Sequence, residues 1–395
     1  MKKKLFFISL FFSMFIFAQQ GKLRKVAAIG FLNVENLFDT IRSADYIDGT
    51  KAITNPSFHR SIPMDSIQFL EAEKYNGPWS NELLKGKKVI RYQSGSTEFT
   101  PQSPKNYNTK VYRTKLVNTA KVISELGSQY TKTAPVVVGL IEVENRQVIE
   151  DLIKEPVLAK YDYGIVHYNS YDYRGIDVAL IYQKRRFTVT NSLKKELVIY
   201  REKGKREYTR DLLVVTGFLD NEKVAFFMNH WPSRRGGEAV SLPKRNAAAV
   251  LLKQQMDSIR TTDPSTKLFA MGDFNDDPVS ASLKNHLKSV GNPKDLSENT
   301  PYLNLMYPLY KRGIASLAYQ DAPNLFDQII VSKNVISDQV TKEYSLYKTE
   351  IYAPPYLINK EGNYKGYPFR SWNGDRFTGG YSDHFPAFVV LQREP

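Results

Sequence analysis

The stretch that decides the fold is Leu268–Pro278, LFAMGDFNDDP. Its apolar residues end at Met271, and a glycine then precedes the polar sequence DFNDD. An apolar run followed by glycine and several turn-forming residues predicts a buried strand that ends in a loop. Such a strand presents a carboxylate, Asp273, and an amide, Asn275, at its end, which suits a reaction centre. A plain Asp/Asn-rich turn has the same local pattern, so this stretch alone leaves both interpretations open.

The first twenty residues have the pattern of a secretory signal peptide. Three lysines precede an apolar run from Leu5 to Phe17, and Ala18 is followed by two glutamines. The run is too short for a comfortable membrane span, so we expect cleavage near Ala18 and no stable membrane anchor. Because the chain has no cysteine, disulfides and a lipoprotein attachment site are excluded. The sequence predicts a protein secreted to the periplasm or the medium, and we expect a monomer.

Residues 21–395 show no Pro/Ser/Gly-rich linker, so we expect one domain. Hydrophobic residues make up 42% of the chain and charged residues 24%, which is ordinary for a globular protein. The formal net charge is +14, or +11 once the three lysines of the signal peptide are removed. A basic excess of this size suits a polyanionic substrate or an anionic surface. Many secreted proteins are basic, so the charge alone does not choose between these two.

Strands and helices alternate along the chain without internal repeats, which predicts a layered α/β fold. A polar region of roughly residues 40–108 lacks periodicity and is interpreted as an inserted loop region. Helices are expected at Tyr112–Tyr130, Arg146–Ile153, Arg245–Ile259 and Ser280–Val290. Residues Lys184–Arg206 are interpreted as a basic hairpin-like stretch. Strands are expected at Lys25–Phe31, Thr133–Ile141, Tyr163–Tyr168, Gly175–Tyr182, Leu212–Leu219, Lys223–Met228, Leu325–Ser332 and Phe385–Leu391.

Polar residues recur where these apolar runs end or begin. Asn33, Glu142, His230 and Asp273 each follow a run, whereas Asp327 and the pair Asp383–His384 each precede one. If the last two strands run antiparallel to the others, all these side chains gather at one edge of the fold. Local sequence hardly distinguishes Glu142 from Glu144, although the first lies nearer the strand.

The carboxylates of this set predict a cation site, because carboxylates cluster only where a cation or a substrate compensates their charge. Asn33, Glu142, Asp273 and Asp383 offer only oxygen ligands, which suit Mg²⁺, with Mn²⁺ as a substitute. With no cysteine and with histidines scattered singly, a structural zinc site is not expected.

Taken together, the motifs resemble the endonuclease/exonuclease/phosphatase superfamily. The matching stretches are FLNVENLF, VVVGLIEVEN, RGIDVALIY, FFMNHWPSRRGG, MGDFNDDP, LFDQIIVS and YSDHFPAFV. GDFN and SDH are the specific signatures, while NHWPSRRGG and RGIDVAL look most like secreted bacterial nucleases. The resemblance implies a four-layer α/β/β/α sandwich of two mixed β-sheets flanked by helices, as in deoxyribonuclease I.

The resemblance also implies roles for individual residues. Asn33, Glu142 and Asp383 match metal-site positions. Asp273 and Asn275 match the pair that aligns the attacking water, and His384 matches the catalytic histidine that Asp327 orients. His230 matches the second histidine of the deoxyribonuclease and sphingomyelinase branches, with Asp172 expected to orient it. Arg210 is expected to contact phosphate. Apart from the resemblance, Arg234, Arg235 and Lys244 are basic residues near the His230 loop and are expected to hold flanking phosphates, with a solvated basic loop as the alternative.

The expected reaction is metal-assisted hydrolysis of a phosphodiester. A secreted, magnesium-dependent endonuclease that degrades DNA or RNA is the first hypothesis, supported by the signal peptide, the basic charge and the two histidines. A phosphodiesterase or phosphatase acting on lipid headgroups or inositol phosphates is the alternative, which the tyrosine-rich stretches Tyr302–Tyr319 and Ile351–Tyr367 keep open. A non-catalytic polyanion-binding protein is the third. Which histidine acts as acid and which as base stays open at this point.

Overall fold

The structure is a computed structural model that describes residues 24–44, 95–200 and 206–395, with five two-residue strands between residues 46 and 93. The predicted signal peptide and most of the predicted insertion lie outside the described residues. No described helix is both long enough and apolar enough to cross a bilayer.

Thirteen strands form two large sheets. In chain order they are β1 (Lys25–Leu37), β2 (Val137–Val143), β3 (Tyr163–His167), β4 (Asp177–Gln183), β5 (Phe187–Lys195), β6 (Leu212–Leu219), β7 (Glu222–His230), β8 (Lys267–Asp273), β9 (Ser289–Val290), β10 (Tyr302–Asn304), β11 (Asp327–Ser332), β12 (Ser345–Ile351) and β13 (Ala387–Arg393). The first sheet has the order β12-β13-β1-β2-β4-β3, and the second has the order β5-β6-β7-β8-β11-β10-β9. Both sheets are mixed, because β1–β2, β7–β8 and β9–β10 are parallel pairs while the other neighbours are antiparallel.

Six α-helices are described, with four 3₁₀ turns and one π turn. The helices are α1 (Thr109–Glu125), α2 (Ser128–Thr131), α3 (Arg146–Ile153), α4 (Pro156–Ala159), α5 (Glu238–Thr262) and α6 (Tyr307–Lys311). The π turn is Ser282–His286, and the 3₁₀ turns are Pro293–Asp295, Lys333–Val335, Pro355–Leu357 and Gly362–Tyr364. Short strand pairs in the loops are Ile199–Tyr200 with Arg206–Glu207, Leu317–Tyr319 with Ala322–Asn324, and Trp372–Asn373 with Arg376–Phe377.

The core consists of three layers of buried apolar side chains. The central layer lies between the two sheets and contains Phe31, Met228 and Phe269. Helices α1 and α3 cover the outer face of the first sheet, and α5 covers that of the second. This arrangement confirms the predicted four-layer sandwich of two mixed sheets flanked by helices. The site residues were expected to gather at one edge if the last two predicted strands run antiparallel to the others. This condition is met, because β11 is antiparallel to β8 and β13 is antiparallel to β1.

Several predicted elements have different bounds. Helix α5 begins at Glu238, seven residues before the predicted start. Its first turns contain Pro243, which does not end the helix. The predicted helix at Ser280–Val290 is wrong, since only a π turn forms there before strand β9. The predicted hairpin-like stretch Lys184–Arg206 is only partly confirmed: Phe187–Lys195 pairs with β6 at the edge of the second sheet, and Ile199–Tyr200 pairs with Arg206–Glu207. Strand β12 was not predicted, and its outward residues are polar or exposed.

Candidate active site

The second sheet brings three predicted site residues into one row. His230 is the register partner of Asp273 across the parallel strands β7 and β8, and Asp273 is the partner of Asp327 across the antiparallel pair β8–β11. Because β11 runs in the opposite direction, its first residue meets the last residue of its neighbour. A residue before a strand and a residue after one therefore share the same edge of the sheet.

The first sheet contributes Asn33 and Glu142 to the same edge. Asn33 pairs with Ile141 across the parallel strands β1 and β2, so Glu142 is one residue further along. Glu142 lies at a register shift of β2 against β4 and has φ +64°. A bulge of this kind turns a side chain away from the regular alternation of a strand. The Oε1 atom of Glu142 is 3.8 Å from Nε2 of His230, so the edges of the two sheets meet here.

Glu144 faces a different environment from Glu142. Its Oε2 atom accepts a hydrogen bond of 2.8 Å from the backbone N–H of Asp39. Burial raises the pKa of the Glu144 carboxyl to about 7. Glu144 therefore anchors the chain that follows β1, whereas Glu142 is the glutamate next to His230.

The sequence Ser-Asp-His before β13 forms a turn that is attached to β1. The Ser382 hydroxyl donates to the backbone carbonyl of Asn33 at 2.7 Å and accepts from the backbone N–H of His384. Nδ1 of His384 is 2.7 Å from Oδ2 of Asp327. This contact fixes the orientation of the imidazole ring and leaves Nε2 as the nitrogen that can act on a substrate.

The turn after β8 holds Asp273 and Asn275 in a fixed arrangement. The backbone N–H of Asn275 donates to Oδ1 of Asp273 at 2.8 Å, and its side-chain amide donates to the Trp231 carbonyl at 3.0 Å. Asn275 has φ +49°, a conformation that asparagine tolerates better than most residues. A Cβ atom at Gly272 would lie 2.2 Å from the Asn229 carbonyl oxygen, so the close approach of β7 and β8 requires glycine.

A buried ion pair supports this turn from below. Asp276 and Arg245 are both fully buried, and Oδ2 of Asp276 is 2.8 Å from Nε of Arg245 on helix α5. Ser282 donates a further hydrogen bond to the same oxygen. Sequence reasoning missed this pair, because an aspartate in an Asp-rich loop and an arginine in a helix give no signal of burial.

A second missed network lies under the end of β1. The ammonium group of Lys115 is buried and donates to the backbone carbonyls of Val34 and Glu35 and to the Ser371 hydroxyl. The Glu35 side chain accepts from the backbone N–H of Ser371, and burial raises its pKa to about 7. Glu35 has φ +48°. The lysine therefore satisfies carbonyl groups that the irregular end of β1 leaves out of the sheet.

The two histidines have opposite electrostatic environments. Burial, with Arg210 and Arg174 nearby, holds the pKa of His230 well below its ordinary value. Burial also disfavours the charged form of His384, but the Asp327 carboxylate in contact with it outweighs this and raises the pKa of His384 well above the ordinary value. Burial raises the pKa of Asp273 to about 7. Three groups with displaced pKa values therefore share one cleft, which is typical of a catalytic site.

The donor set fits a hard divalent cation. Burial raises the pKa of Glu142, whose carboxylate lies 3.7 Å from Arg174 and 3.8 Å from His230, beyond hydrogen-bond distance of either. The Arg174 guanidinium, 3.7 Å away, offsets part of the cost of burial, and a bound cation would stabilise the buried carboxylate further. Asn33 and Asp383 are the other predicted ligands; Oδ1 of Asn33 accepts from the Glu35 N–H, and Asp383 is 3.4 Å from Arg370. In the described ranges, no group of three or more His, Cys, Asp or Glu side chains is arranged to hold a metal ion by itself.

Two arginines that were expected to contact the substrate, Arg234 and Arg210, form ion pairs within the protein. Arg234 donates to the Asn275 carbonyl at 2.9 Å and pairs with Asp276 at 3.2 Å, so it supports the turn. Asp172 pairs with Arg210 at 2.9 Å. It does not orient His230 as predicted, because Nδ1 of His230 has no hydrogen-bond partner among the described residues.

Arg174 is a further residue that sequence reasoning missed. Its guanidinium is 3.7 Å from the Glu142 carboxylate and 3.8 Å from that of Asp172. The motif RGIDVAL contains it, but nothing in that motif separates an arginine at a strand entrance from a solvated one. Only the position of β4 beside β2 brings it to the site.

A family model described as the endonuclease/exonuclease/phosphatase family matches residues 92–393. The fold and the site define a phosphoester hydrolase of the deoxyribonuclease I-like class. The chain belongs to the endonuclease/exonuclease/phosphatase family.

Solved structures that match this chain include D. rerio TDP2 complexed with a single-strand DNA product, with 15% identity, 70% of this chain and 92% of that chain covered, and a TM-score of 0.43. The human nocturnin catalytic domain with a bound sulfate anion has 17% identity, with 70% of this chain and 86% of that chain covered and a TM-score of 0.43. The mannosyl-6-phosphatase of Bacteroides thetaiotaomicron has 15% identity, with 71% of this chain and 93% of that chain covered and a TM-score of 0.44. Likeness at this level carries no information about substrate. No curated protein matches the chain.

Proposed function

We propose that this protein is a secreted, magnesium-dependent endonuclease that degrades nucleic acid outside the cell. The observation that carries the proposal is the meeting of Glu142, His230, Asp273 and the His384–Asp327 pair at one edge, beside a cluster of arginines. Phosphodiester hydrolysis needs a positioned water, a proton acceptor and donor, and positive charge for the non-bridging oxygens. Side chains at this edge can meet each of these three requirements.

The residues divide these tasks as follows. Asp273 and Asn275 are held together in the turn after β8, where they align a water for in-line attack on phosphorus. His384 exchanges a proton through Nε2 while Asp327 holds Nδ1, and Arg174 is placed to bind a phosphate oxygen. A divalent ion held by Glu142, with Asn33 and Asp383, would neutralise charge that develops on the phosphate.

Lipid headgroups are the less favoured substrate, because the two tyrosine-rich stretches are mostly structural. Only Tyr319 and Tyr364 of their eight tyrosines are exposed. Tyr352 and Tyr356 both donate to Glu125, and Tyr302 donates to Asp257. A tyrosine whose hydroxyl donates a hydrogen bond to a carboxylate of the same protein is not available for insertion into a bilayer.

The test compares plasmid DNA with sphingomyelin vesicles at equal enzyme concentration over a salt series. We expect plasmid cleavage that chelation abolishes and Mg²⁺ or Mn²⁺ restores. The rate should fall as salt rises, because each contact with a phosphate releases counterions. On duplex DNA, the logarithm of the binding constant falls with the logarithm of the salt concentration with a slope of about −0.9 per phosphate contact. Rapid lipid hydrolysis with intact plasmid at every salt concentration would replace this proposal with the headgroup enzyme.

Two glutamate variants test the metal site. Glu142→Gln should lose activity by orders of magnitude while the protein stays folded, because it removes the negative charge that would bind the cation. Glu144→Gln is the matched control, since it changes a glutamate two residues away that binds a backbone N–H. An active Glu142→Gln enzyme beside an inactive Glu144→Gln enzyme would contradict the assignment, and so would full activity in excess chelator.

A further inference from the structure

A cavity of about 600 Å³ opens beside the reaction centre. Three segments line it: residues 172–174 between β3 and β4, residues 207–210 before β6, and, after β7, residues 232, 233, 235 and 236. Lys244 of helix α5 completes the lining. This volume is within the range of sites that bind small ligands.

Two residues of the cavity wall are linked by contacts to groups of the reaction centre. Arg174, on its wall, is 3.7 Å from the Glu142 carboxylate. Arg210, also on the wall, donates to the Trp231 carbonyl, and the same carbonyl accepts the side-chain amide of Asn275. A substrate whose reacting phosphate lies at Glu142 and Asn275 therefore extends its neighbouring groups toward the cavity.

The lining has an excess of positive charge. It contains four cations, Arg174, Arg210, Arg235 and Lys244, against two carboxylates, Asp172 and Glu207, which leaves a net charge of +2. An internal phosphodiester carries one negative charge, whereas a terminal phosphate carries about −1.5 to −2 at neutral pH. The charge of the cavity therefore complements a terminal phosphate better than an internal one.

Arg235 is the cation that remains available to a ligand. Lys244 is 2.7 Å from Glu207, Arg210 is 2.9 Å from Asp172, and Arg174 is 3.7 Å from Glu142. The exposed Arg235 donates only to the neutral hydroxyl of Tyr173, at 3.2 Å, and within the described residues no carboxylate lies within 4 Å of its guanidinium. Tyr173 is 58% exposed, and its ring is a surface on which a base or sugar can stack.

We propose that this cavity binds the terminal phosphate of a nucleic-acid end, and that Arg235 selects substrates that carry this phosphate. The proposal rests on the proposed nuclease function. It adds that, among the short fragments that internal cleavage releases, those with a terminal phosphate are cleaved faster than those without one. The bond that is cleaved is the phosphodiester next to the terminal nucleotide, and its phosphate reacts at the site formed by Glu142, Asp273 and His384.

The experiment uses three thymidine dinucleotides that share one internal phosphodiester: one without a terminal phosphate, one with a 5′-phosphate and one with a 3′-phosphate. We expect one phosphorylated form to show at least about tenfold higher kcat/KM than the plain dinucleotide, mainly through KM; tenfold corresponds to about 1.4 kcal/mol. Arg235→Gln should reduce this ratio toward one, and Arg235→Lys should retain part of it.

Lys184→Met is the matched control. It also removes one positive charge, but Lys184 lies outside the cavity in an exposed pair with Asp162, so the ratio should be that of the parent. Equal rates on all three dinucleotides, a ratio unchanged by Arg235→Gln, or intact dinucleotides beside degraded plasmid would each overturn the cavity assignment and leave the nuclease proposal standing. A folded parent protein that cleaves neither plasmid nor dinucleotides would overturn both.

Discussion

The pair of Asp276 and Arg245 gives a prediction whose size follows from burial. Both side chains are fully buried, and their charged atoms are 2.8 Å apart beneath the turn that carries Asp273 and Asn275. Asp276→Asn keeps the shape of the side chain and removes its charge. The guanidinium of Arg245 then stays buried without a full negative charge beside it.

Loss of one partner from a buried ion pair costs about 3–5 kcal/mol, because the remaining charge can neither reach water nor find a counter-ion. The expected effect lies near the middle of that range. Arg234 also pairs with Asp276, at 3.2 Å, and its side chain is partly exposed, so water can solvate it after the substitution. Since folded proteins are stable by only about 5–15 kcal/mol, the loss is a large fraction of the total.

Equilibrium unfolding in urea measures this free energy directly. Lys184→Met is again the control, because it breaks an ion pair of 2.7 Å between exposed side chains, and exposed pairs contribute only about 0–1 kcal/mol. The double variant Arg245→Met/Asp276→Asn should lose less than the sum of the two single variants, because it leaves no isolated buried charge. A loss under about 0.5 kcal/mol in Asp276→Asn, or strict additivity in the double variant, would refute the reasoning.

Three further predictions concern separate sites. Asp327→Asn should lower kcat on plasmid, but by less than the roughly 10²–10⁴-fold loss expected for His384→Ala, because the imidazole remains; a fully active Asp327→Asn enzyme would contradict the pairing. Burial raises the pKa of Asp211 from 3.8 to about 6, so its ionised form opposes folding above pH 6 and the penalty disappears as pH falls below 4. Asp211→Asn should therefore raise the free energy of unfolding at pH 8 by on the order of 1–3 kcal/mol and have little effect at pH 4; a gain that does not vary with pH would disagree. Gly272→Ala should destabilise the protein by about 1–3 kcal/mol in urea unfolding, because the new methyl group meets the backbone of Asn229, and parent-like stability would show that the two strands can separate.

The sequence by itself determined the class of fold and the members of the central cluster. Apolar runs mark buried strands, and a polar residue at the end of a run has to lie at the edge of the sheet, so Asp273 and His230 could be assigned to one edge. The helix at Arg146–Ile153 was also predicted correctly, because its start is specified locally: the Asn145 side chain accepts from the Val148 N–H three residues later. These signals are local, and local sequence carries them.

Only the tertiary structure decided which charged side chains face the site and which support it. Arg234 and Arg235 are adjacent in the sequence, yet the first pairs with Asp276 and the second lines the cavity. The burial of Arg245, the position of Arg174 next to Glu142, and the bulge that turns Glu142 toward His230 depend on neighbours that are distant in the chain. The energy of a charge is set by its distance to other charges and to water, and that distance exists only after the two sheets have packed together.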